Sequence, residues 1–466
     1  MKAMKIAFVH MNSDVNVGRG AGYVAGAILR AGYELTFFDT LFITPQALTK
    51  EIIKNNFDVL MVSTMTMLFP DALRIIREVK QKKNIPTLMG GIHPTIMGSK
   101  LLETHEEIDY LCVGEGESMV INFLEHLNKD SLYDVKNLAY RRNNQVCISP
   151  IDKAEDLTKL PPFPWHLFRN KEIVQESTGF LYVAATRGCP FNCSYCCNGV
   201  YLKQYGKNYL RFRTIAEVMN ELKYLYKTYS PSLFYFADEM IFAKPDYAVE
   251  LFQTIKQELN IPYGCMARVE YINPQIVDVL HKTGCNYIAM GVESGNEEFR
   301  RRYLNRAMTN DQIEKAFSMV SKRGIFTSSF NMIGFPFEND DFLTEETLKL
   351  NQKIKPDYAQ CSIFYPFPGT KLYDRCIELD LIDHQKLTNT KDYYIDSVLK
   401  GVHLKEKIQR INNILNPQGI RIYNAKNRNL FRWLIRRLRN TRFSRSITSK
   451  VPNHLRYRIR KLLSGF

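Results

Sequence analysis

The chain has 466 residues, of which 45% are hydrophobic and 24% charged, the composition of an ordinary soluble globular protein too long for a single core. Its net charge is +15, yet residues 421–466 contain 14 Lys and Arg and no Asp or Glu, so the body is nearly neutral and the basicity belongs to the tail. The start, MKAMKIAFVHM, lacks the features of a signal peptide, and no stretch reaches the roughly 18 apolar residues of a spanning helix, which points to the cytoplasm. In that reducing compartment ten cysteines do not form a disulfide framework, and a tight group of them points to metal or redox chemistry.

In chain order, the apolar runs KIAFVHM, ELTFFDT, FDVLMVSTMTM, IPTLMGG and IDYLCVG alternate with the helical patterns GYVAGAILRAG, ALTKEIIKNN and ALRIIREVKQKK. Runs rich in Val, Ile and Phe separated by amphipathic segments predict βαβ units, and hence an open doubly wound, Rossmann-like α/β domain over residues 1–150. Three glycine turns, VGRGAG, GGIHPT and VGEGES, fall at the carboxyl edge of that sheet, where such folds bind ligands. Residues 151–180, with KLPPFPWHLF, break the periodicity and read as a linker. From Leu181 a second series of about six βα repeats runs to residue 385, short of a full TIM barrel, which predicts a partial (β/α)6 barrel. Residues 386–466 read as a helical, basic carboxyl-terminal region.

The first strand of the second series leads into ATRGCPFNCSYCCNGV, residues 184–199, with Cys189, Cys193 and Cys196 at CxxxCxxC spacing. The loop sits at the carboxyl end of a barrel strand, where such folds place their chemistry. A structural zinc site needs four ligands, and no second CxxC or HxxxH follows. A dithiol redox pair needs CxxC in a thioredoxin-like context, which Gly-Cys-Pro does not provide. Three thiolates in one loop instead suit an iron-sulfur cluster with one iron left open, Cys197 being a small buried neighbour.

CxxxCxxC after the first strand of a partial βα barrel, with Tyr195 before the third cysteine, resembles the radical S-adenosylmethionine (SAM) superfamily over roughly residues 181–385. The resemblance implies a 4Fe-4S cluster on Cys189, Cys193 and Cys196, whose open iron is chelated by SAM. It implies an electron supplied by a reducing partner such as flavodoxin or ferredoxin, and cleavage of SAM to methionine and a 5′-deoxyadenosyl radical. It also places Tyr195 beside SAM, Asp238 and Glu239 of FADEM on the ammonium, and Glu293 and Ser294 of GVESG on the ribose. Ile333 and Gly334 of NMIGFP fall to the adenine, and Arg306 of LNRAMT to the carboxylate. Read without the resemblance, Asp238 is a helix cap, Glu293 a member of an ion pair and Arg306 a surface charge. Arg268 of MARVE is a further residue able to face the site.

The order of doubly wound domain, linker, barrel and FYPFPGTKLYD (364–374) is similar to the cobalamin-binding-domain subgroup of that superfamily. This implies cobalamin contacts at Ser63, Gly90, Gly91, His93, Gly114 and Glu115. The first loop, HMNSDVNVGRG, lacks the cobalt-ligating histidine of mutase-type domains; His10 or His93 either compensates or is a hydrogen-bonded loop residue. Two reactions suit the cofactor pair. In one, methylcobalamin donates a methyl to a substrate carbon or phosphorus radical and a second SAM restores it; in the other, cobalamin assists an oxidation, cyclisation or rearrangement. Methylthiotransferases hold a second cluster on three further cysteines, whereas only Cys112 and Cys147 precede the motif here. The rival class is a non-catalytic corrinoid or metal-binding module.

In NLFRWLIRRLRN, Leu430, Phe431, Leu434, Ile435 and Leu438 fall at helical spacing among Arg432, Arg436, Arg437 and Arg439. Three readings stay open: a basic helix on an anionic membrane face, a docking helix packed on the barrel, and a nucleic-acid patch that no aromatic platform supports. The expected substrate is a small molecule or lipid, with isoprenoids, porphyrins and secondary metabolites all admissible.

Overall fold

The computed structural model describes residues 4–13, 18–170, 172, 179–337, 340–390, 397–400, 404, 411 and 414–415. The basic helix expected within 421–466 lies outside the described residues, as do residues 14–17 of the first loop. The chain forms two compact units. One gathers Met1–Asn170, Thr186–Thr214 and Tyr365–Val402, and the other Lys171–Ala185, Ile215–Phe364 and the described residues after 403.

The sheet of the first unit is built from β1 (Lys5–His10), β2 (Glu34–Asp39), β3 (Val59–Ser63), β4 (Thr87–Gly90), β5 (Tyr110–Cys112), β6 (Leu138–Arg142) and β7 (Gln145–Ile148). Its spatial order is β2-β1-β3-β4-β5-β6-β7, with the first five strands parallel and the last two antiparallel. The apolar runs are continuous because both faces are covered. Ile6 and Phe8 pack with Ala25, Ile28 and Phe123 of the helices Arg19–Arg30 and Glu117–His126, whereas Ala7 and Val9 face the opposite core with Leu48, Ile52 and Ile76. The strand order reverses at β1, which opens a crevice at the carboxyl ends of β1 and β3, where His10 lies opposite Ser63.

Two features of this unit go beyond the sequence reading. The β6–β7 hairpin turns on Asn143 and Asn144, both left-handed at φ 51° and 61°, as a tight two-residue turn requires. The proline-broken segment after residue 151 is packed down: Phe163 meets Tyr23 edge-on at 5.2 Å, Phe168 lies 5.0 Å from Phe37, and Trp165 is buried.

Within the same unit, β9 (Thr186–Arg187) and β10 (Arg211–Phe212) form a short antiparallel ribbon, with Arg187 opposite Arg211. The second unit holds β8 (Phe180–Val183), β11 (Leu233–Phe236), β12 (Tyr263–Ala267), β13 (Cys285–Glu293), β14 (Phe326–Ile333) and β15 (Tyr358–Ile363). These six strands are all parallel and each lies beside its predecessor, the order of a partial βα barrel. Local signals agree with the elements: Asn273 caps Pro274–Thr283, which ends on left-handed Gly284, and Thr309 with Gln312 forms a capping box before Asn310–Lys322. One face of the sheet is sealed by helices, with Phe252 stacked on Tyr263 at 4.2 Å and Asn351 bonded to Ser329 and Asn331.

Candidate active site

The cysteine loop is the excursion between β9 and β10. Gly188 turns the chain at φ +96°, where a side chain would meet the carbonyl of Tyr209. The Cys196 N–H then donates to the Cys193 carbonyl at 3.0 Å, and Gly199 N–H to the Cys196 carbonyl at 3.2 Å, so the loop winds directly into the helix Asn198–Tyr205. Cys189 and Cys193 are buried, Cys196 and Cys197 partly so, and none of the four is in a disulfide. Tyr195 is half-buried on the same turn, beside Ser194, whose carbonyl takes the Leu372 N–H at 3.0 Å. Among the described residues no three His, Cys, Asp or Glu side chains converge tightly enough to hold a single metal ion. A cluster sets a different demand, because its thiolates bind separate irons.

Of the glycine turns of the first unit, the one at Gly114 meets the helix that follows this loop, at Gln204 and Tyr205. Ser63 and Gly90 are register partners at the ends of β3 and β4. Gly91 follows at φ +99°, where a Cβ would lie 2.5 Å from the Thr64 carbonyl oxygen, so the two strand ends meet as bare backbone beside the Ser63 hydroxyl. His93 is 5% exposed; its Nδ1 lies 3.2 Å from the Thr66 hydroxyl and its ring against Phe69 at 4.4 Å. Burial, with a smaller contribution from His105, lowers its pKa to about 4 and keeps the ring neutral. His10 is likewise buried, with its pKa lowered by burial against the opposing pull of Asp39. Gly114, at φ +100°, lies under the Tyr205 hydroxyl and donates its N–H to Thr95 Oγ1 at 3.0 Å.

Glu115 is 8% exposed and its carboxylate is fully engaged. Arg211 grips both oxygens at 2.5 and 2.8 Å, Arg187 reaches Oε1 at 3.2 Å, and the Glu155 N–H donates to Oε2 at 2.7 Å. Its own N–H donates to the Tyr205 hydroxyl at 2.8 Å. Burial alone would raise its pKa, but the Arg211 hydrogen bond and the two guanidinium charges hold the carboxyl below the usual range. Arg187 also pairs with buried Glu117 at 2.7 Å, and there burial prevails and raises the pKa. Neither arginine was singled out from the sequence, since their partners lie 72 and 96 residues away.

In the second unit the expected SAM residues occupy the carboxyl ends of the strands. Asp238, 1% exposed, accepts the Ala185 N–H on both oxygens at 2.9 and 3.2 Å, which ties the end of β11 to that of β8. Glu239, the next residue, is exposed. Glu293 ends β13 at a bulge and in the left-handed region, φ +67°, a costly conformation for a residue other than glycine. Its Oε1 takes a hydrogen bond from Arg306 at 3.1 Å, and Arg306, 6% exposed, also donates to the Gly291 carbonyl at 3.1 Å. Gly291 makes room for the pair, since a Cβ there would lie 2.5 Å from the Glu293 carboxylate. Ser294 is fully buried, and its carbonyl accepts from Arg300, itself 0% exposed, at 2.5 Å. Arg268 is buried and paired with Glu270 at 2.5 Å. Ile333 is buried, and left-handed Gly334 shares one acceptor with Phe335, the two N–H groups bonding Asp340 Oδ1 at 2.8 and 2.9 Å. Asp340 was not foreseen either; an Asp six residues beyond a glycine carries no recognisable signal.

Residues 183–350 match the model of the radical SAM superfamily, and residues 14–124 that of the B12 binding domain. The chain carries a B12-binding domain and a radical SAM domain. An uncharacterized methyltransferase of Pyrococcus horikoshii is 27% identical over 440 residues, 91% of this chain and 93% of that protein. The anaerobic magnesium-protoporphyrin IX monomethyl ester cyclase of Cereibacter sphaeroides is 25% identical over 415 residues, 82% of this chain and 65% of that one. The radical SAM methyltransferase TsrM of Kitasatospora setae, solved with cobalamin and a 4Fe-4S cluster bound, shares the fold at TM-score 0.67 and 16% identity, over 81% of this chain and 75% of that one.

The residues of the two domains fit the groups those domains imply. Three cysteines outside any disulfide on one turn suit a cluster with an open iron, and the side-chain-free edge at Gly90–Gly91 beside Ser63 suits close approach by a large ring cofactor. Exposed Glu239 and the rim carboxylate Glu293 suit the ammonium and hydroxyl groups of SAM.

Proposed function

We propose that this protein is a cobalamin-dependent radical SAM methyltransferase that modifies an unactivated centre of a lipid or secondary-metabolite substrate. The reading is supported chiefly by one observation: the cysteine loop folds into the same compact unit as the doubly wound sheet with its Gly90–Gly91 edge. When bound, the cluster supplies the electron that cleaves SAM to the 5′-deoxyadenosyl radical, and cobalamin supplies the methyl group.

Cys189, Cys193 and Cys196 hold the cluster, with Tyr195 flanking SAM. Glu239 accepts from the SAM ammonium, while Asp238, spent on the Ala185 N–H, sets the strand end that presents Glu239. Glu293 faces the ribose with its orientation fixed by Arg306, the Ser294 turn is held by Arg300, and Ile333 with Gly334 offers backbone to the adenine. Ser63, Gly90, Gly91, Gly114 and His93 border the corrinoid; His93 acts as a neutral wall rather than a cobalt ligand, since its ring is packed inside against Phe69. A one-electron donor such as flavodoxin or ferredoxin reduces the cluster. The location is cytoplasmic, with the basic tail of residues 421–466 on an anionic membrane surface; among the described residues no helix is long and apolar enough to cross a membrane. Nucleic acid is not an expected partner.

The test is anaerobic purification after expression with cobalamin, quantifying iron, sulfide and corrinoid, followed by incubation with SAM and dithionite. Iron near four per chain, stoichiometric corrinoid and formation of both 5′-deoxyadenosine and S-adenosylhomocysteine support a methyltransferase, because the second product records methyl transfer from SAM. 5′-Deoxyadenosine without S-adenosylhomocysteine favours the second reading, a cyclase or rearrangement enzyme, which the similarity to the magnesium-protoporphyrin cyclase suggests. Absence of corrinoid, or loss of neither product in Cys193→Ala, defeats the proposal.

A further inference from the structure

The two arginines that grip Glu115 stand at the two ends of the cysteine excursion. Arg187 is the last residue before Gly188 and Cys189, and Arg211 follows the excursion directly. The ribbon they form has two residues per strand, far below what is stable in isolation, so something outside the ribbon must set its register. Glu115 does so, joining Arg187 to Arg211 through one buried carboxylate. Charged hydrogen bonds of this kind are directional and about twice as strong as neutral ones, and two half-buried guanidinium groups brought together without a shared anion would be costly.

The same loop of the doubly wound sheet also touches the helix that carries the excursion onward. Tyr205 receives the Glu115 N–H, and Tyr201, Tyr205 and Tyr209 stack near-parallel with ring centroids 5.3 to 6.2 Å apart. In the other direction, Gly114 N–H donates to Thr95 Oγ1, and that hydroxyl donates to the Gly91 carbonyl at 2.8 Å. A continuous hydrogen-bonded chain therefore runs from Gly91 through Thr95, Gly114 and Glu115 to both ends of the cysteine excursion.

We infer that Glu115 is a positioning residue that couples the corrinoid edge at Gly90–Gly91 to the geometry of the cluster loop. The inference rests on the proposed function, since it presumes that both groups are bound. It makes the two cofactors linked ligands: loading one stiffens the loop that holds the other, and by reciprocity the coupling acts in both directions.

The experiment follows iron release from the protein to a chelator under anaerobic conditions, with and without bound cobalamin, and without SAM or turnover. In the wild type, cobalamin is expected to slow iron release about fivefold or more, the lower end of typical site-to-site coupling. In Glu115→Gln, loaded with both groups, release becomes independent of cobalamin. Tyr205→Phe, which removes only the hydroxyl that receives the Glu115 N–H, leaves the ion pairs intact and is expected to weaken the coupling partway, so the inference survives even a poorly folding Glu115→Gln. Cobalamin protection that persists undiminished in both variants, or that is absent from wild type loaded with both groups, overturns the inference while leaving the proposed function standing. Wild-type protein that takes up iron but no corrinoid, or the reverse, overturns both.

Discussion

Two strand-end glutamates look alike in sequence and do different work. Glu115, in VGEGE after β5, and Glu293, in GVESG after β13, each pair with arginine. Glu115 has both oxygens saturated by two arginines and a backbone N–H, and its backbone stays out of the left-handed region. Glu293 sits at φ +67° and is steadied by Arg306 through one oxygen. A saturated carboxylate is a joint between segments; a strained backbone at a strand end marks a position whose geometry serves something other than folding.

The largest expected effect separates the two on stability. Glu115→Ala removes the carboxylate shared by two half-buried guanidinium groups and should lower the unfolding free energy of the first unit by about 3 kcal/mol, the low end for breaking a buried pair because Arg187 keeps Glu117. Urea titration followed by Trp165 fluorescence, in a Trp433→Phe background, measures it; a loss below about 1 kcal/mol would show that the joint is dispensable.

A second contrast lies within the first unit, between the ionised joint and neutral His93. Since the His93 pKa falls from 6.5 to about 4 on folding, the unfolded state binds more protons between those values. Stability is therefore complete above 6.5 and declines as the pH drops toward 4, by roughly 3 kcal/mol in all. His93→Gln should flatten that slope. Glu115 works the same way lower down: its pKa lies below 4.5 when folded, so its contribution is present above 4.5 and vanishes as the pH falls through the folded value. Slopes unchanged by either substitution would remove the distinction.

Smaller effects test the backbone. Gly91→Ala forces a Cβ onto the Thr64 carbonyl at positive φ and should cost about 1–3 kcal/mol, with a parallel loss of cobalamin uptake visible in the spectrum. At Glu293, glycine should be better tolerated than alanine by about 1 kcal/mol, because it relieves the left-handed strain; at Glu115 glycine should be no better than alanine. Equal rankings at the two sites would show that strain does not distinguish them.

The parts legible in the sequence were those carried by short-range pattern. Alternating apolar and amphipathic runs marked all six barrel strands, and Cys189, Cys193 and Cys196 announced their loop by spacing alone. The β6–β7 hairpin escaped because Asn143-Asn144 lacks the glycine that usually flags such a turn. The segment with Phe163, Trp165 and Phe168 read as a linker because prolines break periodicity whether or not the aromatic residues between them are buried. Asp238 and Glu115 were recognised as important acids, but their partners come from distant strands, and an ion pair across 72 or 96 residues has no local signature.

The assembly of the first unit from three separated stretches has a consequence for the order in which the protein is built. Its sheet is made by residue 148, but the arginines that satisfy Glu115 arrive with β9 and β10, and the segment bonded to Ser194 only after residue 364. On a ribosome, Glu115 is therefore sealed early, by Arg187 and Arg211, whereas the cysteine turn at Ser194 waits through the synthesis of the barrel strands before Leu372 arrives to bind it.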